Sequence, residues 1–259
     1  QLTVNQRPLN ATLARQYDGT TAAAGSTVSS FDALQGGETS TMTGSGTAAS
    51  ANVANGITMS SNGNLALADG TGAASNYSLN STVINIAKRV LNSSGSKLYD
   101  ANTNALAGAI TLSNLVSGEA LNHSGTASTS SANVGSYTIS NLTGITIADG
   151  SGGTASNYTL TGGTHNFAIN QRPLNATLAR QYDGTTASAG STLSSFDALQ
   201  GGETLTLSGS GTAASANVAN GIAVSSLGTL ALVNGTGAAS NYSLNSAAIN
   251  ITQRVLNSS

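Results

Sequence analysis

The amino-acid sequence predicts an all-β protein built as a tandem array of small modules. The same short stretch returns at Tyr17, Tyr99 and Tyr182, with spacings of 82 and 83 residues, which indicates a module of about that length. Short segments alternate apolar and polar residues, and Asp-Gly, Asn-Gly and Gly-Gly pairs separate them, a pattern typical of strands and tight turns. We therefore expect antiparallel β-sandwich-like modules joined end to end into an elongated rod.

The alternative fold is a continuous parallel β-helix. A solenoid of that kind repeats roughly every 20 residues, and no such shorter period is visible inside the module, so discrete modules are favoured. Strict alternation predicts strands at residues 9–13, 65–67, 77–79, 84–86, 205–207 and 222–224. The one candidate for a helical turn is residues 31–36, where Phe31 and Leu34 lie three residues apart and a glycine follows.

The repeated landmarks divide the chain into three modules. We predict that residues 1–6 end a preceding repeat, that the repeats cover residues 7–88, 89–170 and 171–253, and that residues 254–259 begin a following one. Residues 6–94 and 171–259 differ at 15 of 89 aligned positions, so the first and third modules are more alike than neighbours are. Unlike neighbours reduce the risk of exchanging elements during folding, although recent duplication explains the pattern equally well.

Composition excludes several classes of partner. Only 7% of the residues are charged and the net charge is −2, which leaves no basic surface for nucleic acid. The sequence has no apolar run long enough for direct insertion into a membrane. The absence of cysteine excludes disulfides and thiolate metal sites, and it suits a long secreted bacterial chain.

The recurring polar and aromatic residues predict structural landmarks. We expect each of Tyr17, Tyr99 and Tyr182 to pack its ring against a sheet while its hydroxyl reaches a backbone partner. The aspartate that follows each tyrosine should close a turn through its carboxylate, with a glycine next in two modules. These residues are Asp18, Gly19, Asp100, Asp183 and Gly184. Because Ala101 replaces the glycine in the second module, its turn is expected to differ.

A second set of landmarks pairs an asparagine with a tyrosine near the end of each module. The pairs are Asn76 and Tyr77, Asn157 and Tyr158, and Asn241 and Tyr242. Each is interpreted as a turn residue followed by an aromatic strand residue.

The sequence contains no strong pattern for a catalytic or metal-binding site. Glu38, Glu119 and Glu203 occur once per module without a second repeated carboxylate nearby, so no acid–base pair is expected. His123 and His165 are interpreted as structural residues. We predict no catalytic site, no cofactor and no enzyme activity.

Calcium is the one metal ion left open by the sequence. Asp69 and Asp149 begin glycine-rich loops that could contribute oxygen ligands. Asn234 replaces the aspartate in the third module, and the loss of the charged ligand from a near-identical copy favours a plain turn.

The recurring motifs resemble those of a known family. The Tyr-Asp-Gly-Thr-Thr corner, the downstream Leu-x-x-Gly-Glu, the Asn-Val pair and the closing Asn-Tyr-x-Leu with an Ile-x-Ile strand are similar to the YDG repeats of large secreted bacterial exoproteins. These include filamentous-haemagglutinin-like adhesins and two-partner-secretion passengers. The resemblance implies a β-rich stalk without a catalytic site, outside the cell on a bacterial surface, in particular a Gram-negative one.

The expected function is that of a spacer. The repeats would project an adhesive region from the cell in adhesion and biofilm formation, with neighbouring repeats of the same longer chain as partners. The alternative is that the repeats themselves bind a host glycan or matrix component, another bacterial surface ligand, or copies of themselves on other cells.

Overall fold

A computed structural model describes residues 3–139 and 142–256, and its fold is all-β. The predicted end segments, residues 1–6 and 254–259, therefore lie partly outside the described residues. The strands are β1 (Arg7–Gln16), β2 (Thr27–Phe31), β3 (Ser40–Thr43), β4 (Thr47–Ala48), β5 (Ala54–Ser61), β6 (Ala66–Asp69), β7 (Tyr77–Ala87), β8 (Arg89–Val90), β9 (Asn92–Leu98), β10 (Asn104–Leu106), β11 (Ile110–Ser113), β12 (Leu121–Ser128), β13 (Gly135–Thr138), β14 (Ile145–Asp149), β15 (Tyr158–Thr159), β16 (His165–Asn170), β17 (Arg172–Gln181), β18 (Thr192–Phe196), β19 (Leu205–Ser208), β20 (Thr212–Ala213), β21 (Ala219–Ser226), β22 (Ala231–Asn234) and β23 (Tyr242–Thr252). Short 3-10 helices cover Ala74–Asn76, Ala107–Ala109, Ala155–Asn157 and Ala239–Asn241.

The chain forms two compact units whose limits differ from those of the predicted modules. Unit one comprises Gln1–Ser93, Leu112–Ser124 and Ile145–Thr164, and unit two comprises Ser94–Thr111, Gly125–Gly144 and His165–Ser259. Residues 89–170, the predicted second module, therefore contribute to both units. Unit one contains the first module together with part of the second.

Unit one is centred on a five-stranded sheet with the order β2-β1-β7-β5-β4. Its two longest strands, β1 and β7, run parallel, whereas β2 and β5 flank them in antiparallel directions. The prediction of antiparallel modules is therefore wrong for the central pair, because the first and last strands of the repeat are neighbours in space and point the same way. The antiparallel pairs also argue against the alternative of a continuous parallel β-helix.

Strand β7 combines two segments that the sequence predicts separately, residues 77–79 and 84–86. Leu9 faces Leu79 and Asn10 faces Ser81, so Asn80 is an extra residue in the register. A bulge of this kind reverses which residues point inward. Tyr77 is accordingly buried before the bulge, and Ile84 and Ile86 are buried after it.

Unit two contains the same topology in the third module. Its five-stranded sheet has the order β18-β17-β23-β21-β20, with β17 and β23 parallel, and β19 pairs with β22 in an antiparallel ladder. Part of the second module lies in the same unit, where β13 pairs with β16 in antiparallel fashion. Leu174, Leu178, Ile249 and Ile251 are fully or almost fully buried in this sheet.

Most of the predicted strand segments are confirmed, and the predicted helical turn is wrong. Residues 9–13, 205–207 and 222–224 lie within β1, β19 and β21, whereas the strand predicted at 65–67 begins at Ala66. In the segment 31–36, Phe31 ends β2 instead of starting a helix. The Asp32 carboxylate accepts a hydrogen bond from the Asn10 backbone N–H at 2.8 Å and another from the Asn10 side chain, which holds the chain against β1. This tertiary contact overrides the weak local preference for helix.

Candidate functional site

The landmark residues of neighbouring repeats meet at a place that we call a seam. Seam one, in unit one, is formed by Tyr17, Glu119 and Tyr158. The Tyr17 hydroxyl donates a hydrogen bond to Oε1 of Glu119 at 2.6 Å, and the Tyr158 hydroxyl donates to Oε2 at 2.6 Å. The two rings meet edge to face, with centroids 5.4 Å apart and planes at 79°. One carboxylate therefore joins a tyrosine of the first repeat to a tyrosine of the second.

An asparagine forms the other polar contact of seam one. The Asn157 side-chain oxygen accepts a hydrogen bond from the Val53 backbone N–H at 2.9 Å, and its amide donates to the Asn52 side-chain oxygen at 3.0 Å. Asn157 is only 1% exposed, so this side chain has exchanged water for partners in the preceding repeat. Arg89 also donates to the carbonyl oxygen of Tyr17 at 3.4 Å.

Seam two, in unit two, has the same arrangement. The Tyr99 hydroxyl donates to Oε1 of Glu203 at 2.6 Å and the Tyr242 hydroxyl donates to Oε2 at 2.5 Å. The ring centroids of the two tyrosines are 5.2 Å apart and their planes meet at 78°. Asn241 repeats the asparagine contact, because its oxygen accepts from the Val134 backbone N–H at 2.9 Å and its amide donates to Asn133 at 3.0 Å.

Burial and the neighbouring carboxylates raise the pKa values of the seam tyrosines. Burial, followed by the hydrogen bond to Glu203, raises the pKa of Tyr99 to about 12, and burial followed by the hydrogen bond to Glu119 raises the pKa of Tyr158 to about 12. The pKa values of Tyr17 and Tyr242 are raised by the same two causes. If a seam tyrosine ionised, it would lose the proton that it donates in the hydrogen bond, and its negative charge would be repelled by the carboxylate. The seam therefore favours the neutral tyrosine.

Apolar packing continues across seam one. Tyr17, Leu91 and Tyr158 belong to the same buried cluster as Leu13 and Ile84 of the five-stranded sheet. Partly buried side chains of the second repeat pack against this cluster, among them Leu112, Leu115, Val116, Leu121, Ile147 and Leu160. The core of the first repeat therefore extends into the second without a break.

The predicted turns after the first tyrosines are present. The Asp18 carboxylate accepts a hydrogen bond from the Thr20 N–H at 2.9 Å, and Asp183 accepts from Thr185 at the same distance. Gly19 and Gly184 have positive φ angles of 79° and 80°. Burial opposes ionisation of Asp18, but hydrogen bonds from Arg15 and Thr20 outweigh it and hold the pKa of this carboxyl below its ordinary value.

The second module keeps this turn despite its different sequence. Asp100 accepts from the Asn102 N–H at 3.2 Å, and Ala101 takes the left-handed conformation with φ of 62°. The expectation that this turn differs is therefore wrong for the backbone. An L-residue in that region carries a steric cost of about 1–2 kcal/mol relative to glycine.

Not every landmark lies in a complete seam. Asn76 is exposed, whereas its counterparts Asn157 and Asn241 are buried. Tyr182 is 40% exposed, against 5% for Tyr17 and 3% for Tyr99.

The glutamates are the seam residues whose role the sequence analysis missed. Their recurrence directly after Leu-x-x-Gly is the sequence signal for this role, whereas the lack of a second carboxylate nearby says nothing about it. The predicted backbone partner for the tyrosine hydroxyls is wrong for Tyr17 and Tyr99, which donate to these carboxylates. Both carboxylate oxygens of Glu119 and of Glu203 accept a hydrogen bond from a tyrosine hydroxyl. This arrangement therefore suits cohesion between repeats.

The residues considered for calcium have partners within their own loops. Asp69 accepts from the Ala74 N–H at 2.7 Å and Asp149 from the Ala155 N–H at 2.7 Å. Asn234 accepts from the Ala239 N–H at 2.8 Å, so an amide oxygen makes the same contact. Among residues 3–139 and 142–256, no group of three or more His, Asp or Glu side chains is placed to hold a metal ion.

The two histidines lie in strands. His165 is buried at the start of β16, and His123 is partly buried within β12. In the part of the chain that the structure describes, no helix has the length and apolar character needed to cross a membrane.

Comparison with known proteins identifies the repeats. A family model described as the YDG domain matches residues 2–84, 87–165 and 170–249. These three matches cover most of the chain and confirm the resemblance to YDG repeats. Neither the curated proteins nor the solved structures gave a match.

Proposed function

The chain belongs to the YDG-domain family, and we propose that its three repeats are structural spacers in a bacterial surface or secreted adhesin. In this role the repeats hold an adhesive region away from the cell, during cell adhesion and biofilm formation. The proposed location is extracellular, on the outer surface of a Gram-negative bacterium. The proposed partners are neighbouring repeats of the same longer chain, and no catalysis is involved.

The observation that carries this proposal is that the same seam forms in both units. Each seam joins a tyrosine of one repeat to a glutamate and a tyrosine of the next, and an asparagine of the later repeat bonds back to the earlier one. The hydrogen bonds between tyrosine hydroxyls and glutamate oxygens agree in length between the two seams within about 0.1 Å. Such contacts, together with the direct passage from β7 at Ala87 to β8 at Arg89, support restricted bending between repeats. Restricted bending is what a spacer requires.

Small-angle scattering tests the spacer. The maximum dimension of the whole chain should exceed that of residues 7–170 by about one repeat, and a chelator should change neither value. The matched variant is Glu119→Ala, which removes the seam-one carboxylate and should broaden the distance distribution. A chain as compact as a single globule would contradict the proposal, and a change on chelation would favour calcium instead.

A ligand-binding repeat is the second candidate function. The observation in its favour is an open groove of about 530 Å³ in unit one, lined in part by Leu13, Val28, Phe31, Met42 and Ser40. However, Val28, Ser40 and Met42 correspond to Leu193, Leu205 and Leu207 in the third repeat. Because the lining differs between two otherwise similar copies, the groove supports a shared ligand less well than the seams support a spacer.

A further inference from the structure

Four Asn-Gly pairs lie in the chain, at residues 55–56, 62–63, 220–221 and 234–235. Asparagine is a thermally labile residue, and a following glycine favours loss of its side-chain ammonia because glycine has no Cβ to hinder attack by the backbone nitrogen. The reaction needs an asparagine side chain that can turn towards that nitrogen and an N–H that no strong acceptor holds. The fold meets both requirements at one pair and blocks the reaction at the other three.

Two of the pairs are held by an asparagine on the neighbouring strand. The Gly56 N–H donates a hydrogen bond to the side-chain oxygen of Asn85 on β7 at 2.7 Å. The Gly221 N–H donates in the same way to Asn250 on β23 at 2.8 Å. A nitrogen held like this is a poor nucleophile, because the reaction begins with the loss of the bonded proton. Asn55 itself is exposed, so exposure alone does not decide which pair reacts.

The pair at residues 234–235 is held at both of its reacting groups. Oδ1 of Asn234 accepts a hydrogen bond from the Ala239 N–H at 2.8 Å, and the Gly235 N–H donates to the Gly237 carbonyl oxygen at 3.2 Å. An asparagine fixed through its own side-chain oxygen is not free to turn towards the next nitrogen. This pair should therefore react slowly.

Asn62 is the asparagine that the fold leaves open to reaction. It is exposed in the turn between β5 and β6, and within the part of the chain that the structure describes its side-chain amide makes no hydrogen bond. The Gly63 N–H donates at 3.1 Å to the hydroxyl of Ser61, which is itself exposed and can rotate towards water. The third repeat has Leu227 at this place, and Gly228 keeps the φ of Gly63, at 55° against 54°. The turn therefore does not depend on the asparagine.

We propose that Asn62 is a site of spontaneous deamidation, and that Asn85 and Asn250 protect the two pairs that they hold from the same reaction. The Gly63 nitrogen loses its proton and bonds to Cγ of Asn62, and the bond from Cγ to Nδ2 breaks. The side-chain nitrogen takes up a proton and leaves as ammonia, so a five-membered succinimide ring remains. Water opens this ring at either carbonyl, which gives aspartate or isoaspartate. The proposal goes beyond the spacer function and does not depend on it.

Deamidation changes the turn between β5 and β6. Both products carry a negative charge that the amide lacks, and isoaspartate also lengthens the backbone by one carbon atom. The turn is closely packed, because a Cβ added to Gly63 would lie 2.4 Å from the Ser45 carbonyl oxygen, to which the Asn64 N–H donates at 3.1 Å. A longer backbone does not fit here without displacement. Isoaspartate should therefore loosen the adjoining antiparallel pair of β3 and β6.

Peptide mass spectrometry after incubation of the folded chain at mildly alkaline pH measures deamidation at each pair. Asn62 should lose ammonia several-fold faster than Asn55, Asn220 or Asn234. In denaturant the four asparagines should react at similar rates, because each precedes a glycine and the fold no longer holds any of them. Equal rates at Asn62 and Asn55 in the folded chain, or an Asn62 that reacts only in denaturant, would overturn the proposal.

Asn85→Ala tests the protecting hydrogen bond. It frees the Gly56 N–H and should speed deamidation of Asn55 several-fold, whereas Asn220, still held by Asn250, is an internal control in the same chain. Asn85→Asp keeps a side-chain oxygen that can accept from Gly56, so Asn55 should stay protected. Asn250→Ala should reverse the pattern, with Asn220 reacting and Asn55 protected.

The pattern across the pairs separates local release from a general loss of stability. A variant that unfolds would expose Asn234 as well, whereas local release speeds the reaction at Asn55 alone. An unchanged rate at Asn55 in Asn85→Ala, or an equal increase at every pair, would contradict the protecting role. Asn62→Leu, which copies the third repeat, should abolish the reaction in that turn and leave the other rates unchanged. Failure of these tests would leave the scattering test of the spacer unaffected.

Discussion

At the residue scale, the seam is a problem of satisfying polar groups away from water. The Glu119 carboxylate receives two phenol donors, and the Tyr158 hydroxyl both donates to it and accepts from the Val116 N–H at 3.1 Å. Hydrogen bonds to an ionised acceptor are stronger than neutral ones. Removing one partner is costly because the other groups stay buried and unsatisfied.

We expect Glu119→Ala to destabilise unit one by about 3 kcal/mol, since two charge-assisted hydrogen bonds are lost at about 1.5–3 kcal/mol each. Hydrogen exchange measures this loss at unit-one amides, with unit two as an internal reference. The control is Glu38→Ala, which loses the single tyrosine bond from Tyr77 and should cost about half as much. Equal losses from the two variants would show that Tyr17 contributes nothing to seam one.

Alkaline pH should weaken both seams. The pKa of Tyr99 and that of Tyr158 are raised to about 12 in the folded chain from an ordinary value of 10.0. A raised pKa means that the stabilising contribution is complete below about pH 10 and is lost as the pH rises towards about 12. Denaturant titrations across that range, with tyrosinate absorbance as the readout, should show falling stability.

Tyr99→Phe is the variant that checks this cause. It removes one titrating hydroxyl from seam two, so the alkaline loss of stability in unit two should become smaller while that of unit one is unchanged. An unaltered alkaline profile in unit two would show that the loss arises elsewhere.

At the scale of the element, the turn after β1 positions both the aspartate and the tyrosine. Gly19→Ala should destabilise unit one in two ways. The positive φ of 79° disfavours alanine by about 1–2 kcal/mol, and the added Cβ would lie 2.9 Å from Cγ1 of Val116.

Gly184→Ala separates these two effects. Its φ of 80° is the same, but the space beside it is open, so only the conformational cost applies. Thermal unfolding should therefore show a smaller loss for Gly184→Ala than for Gly19→Ala. Equal losses would mean that Val116 moves aside without cost.

At the scale of the whole molecule, the compact units do not follow the sequence repeats. Unit one combines the first repeat with residues 112–124 and 145–164 of the second, and unit two combines the rest of the second with the third. We expect the isolated segment 89–170 to unfold without cooperativity, because Tyr99 and Asn157 would both lose their partners in other repeats. Circular dichroism during thermal unfolding measures this, with residues 7–170 as the control that retains seam one. A sharp transition in the isolated segment would contradict the expectation.

Sequence patterns were sufficient for the local features of the fold. The 82- and 83-residue spacings revealed the repeats, and the alternation within residues 9–13 predicted β1 because side chains on a strand point alternately to either side. The turns at Asp18 and Asp183 were predictable because an aspartate closes such a turn through contacts two residues away.

Contacts between distant residues were beyond these patterns. The parallel pairing of β1 with β7, the bulge at Asn80 and the non-helical path of the chain after Phe31 depend on groups that lie far apart in sequence.

The sequence by itself determined the all-β class, the YDG repeats and the turn chemistry, because each depends on residues within a short window. Only the tertiary structure decided that Glu119 joins Tyr17 to Tyr158 and that Asn157 reaches back to Val53, contacts that span about one hundred residues. A motif repeated in every module does not say whether its partner lies in the same module or in the next. Which partner a motif residue contacts depends on how the strands bring the repeats together. In this fold the tyrosines are buried where Glu119 and Glu203 can accept their hydrogen bonds.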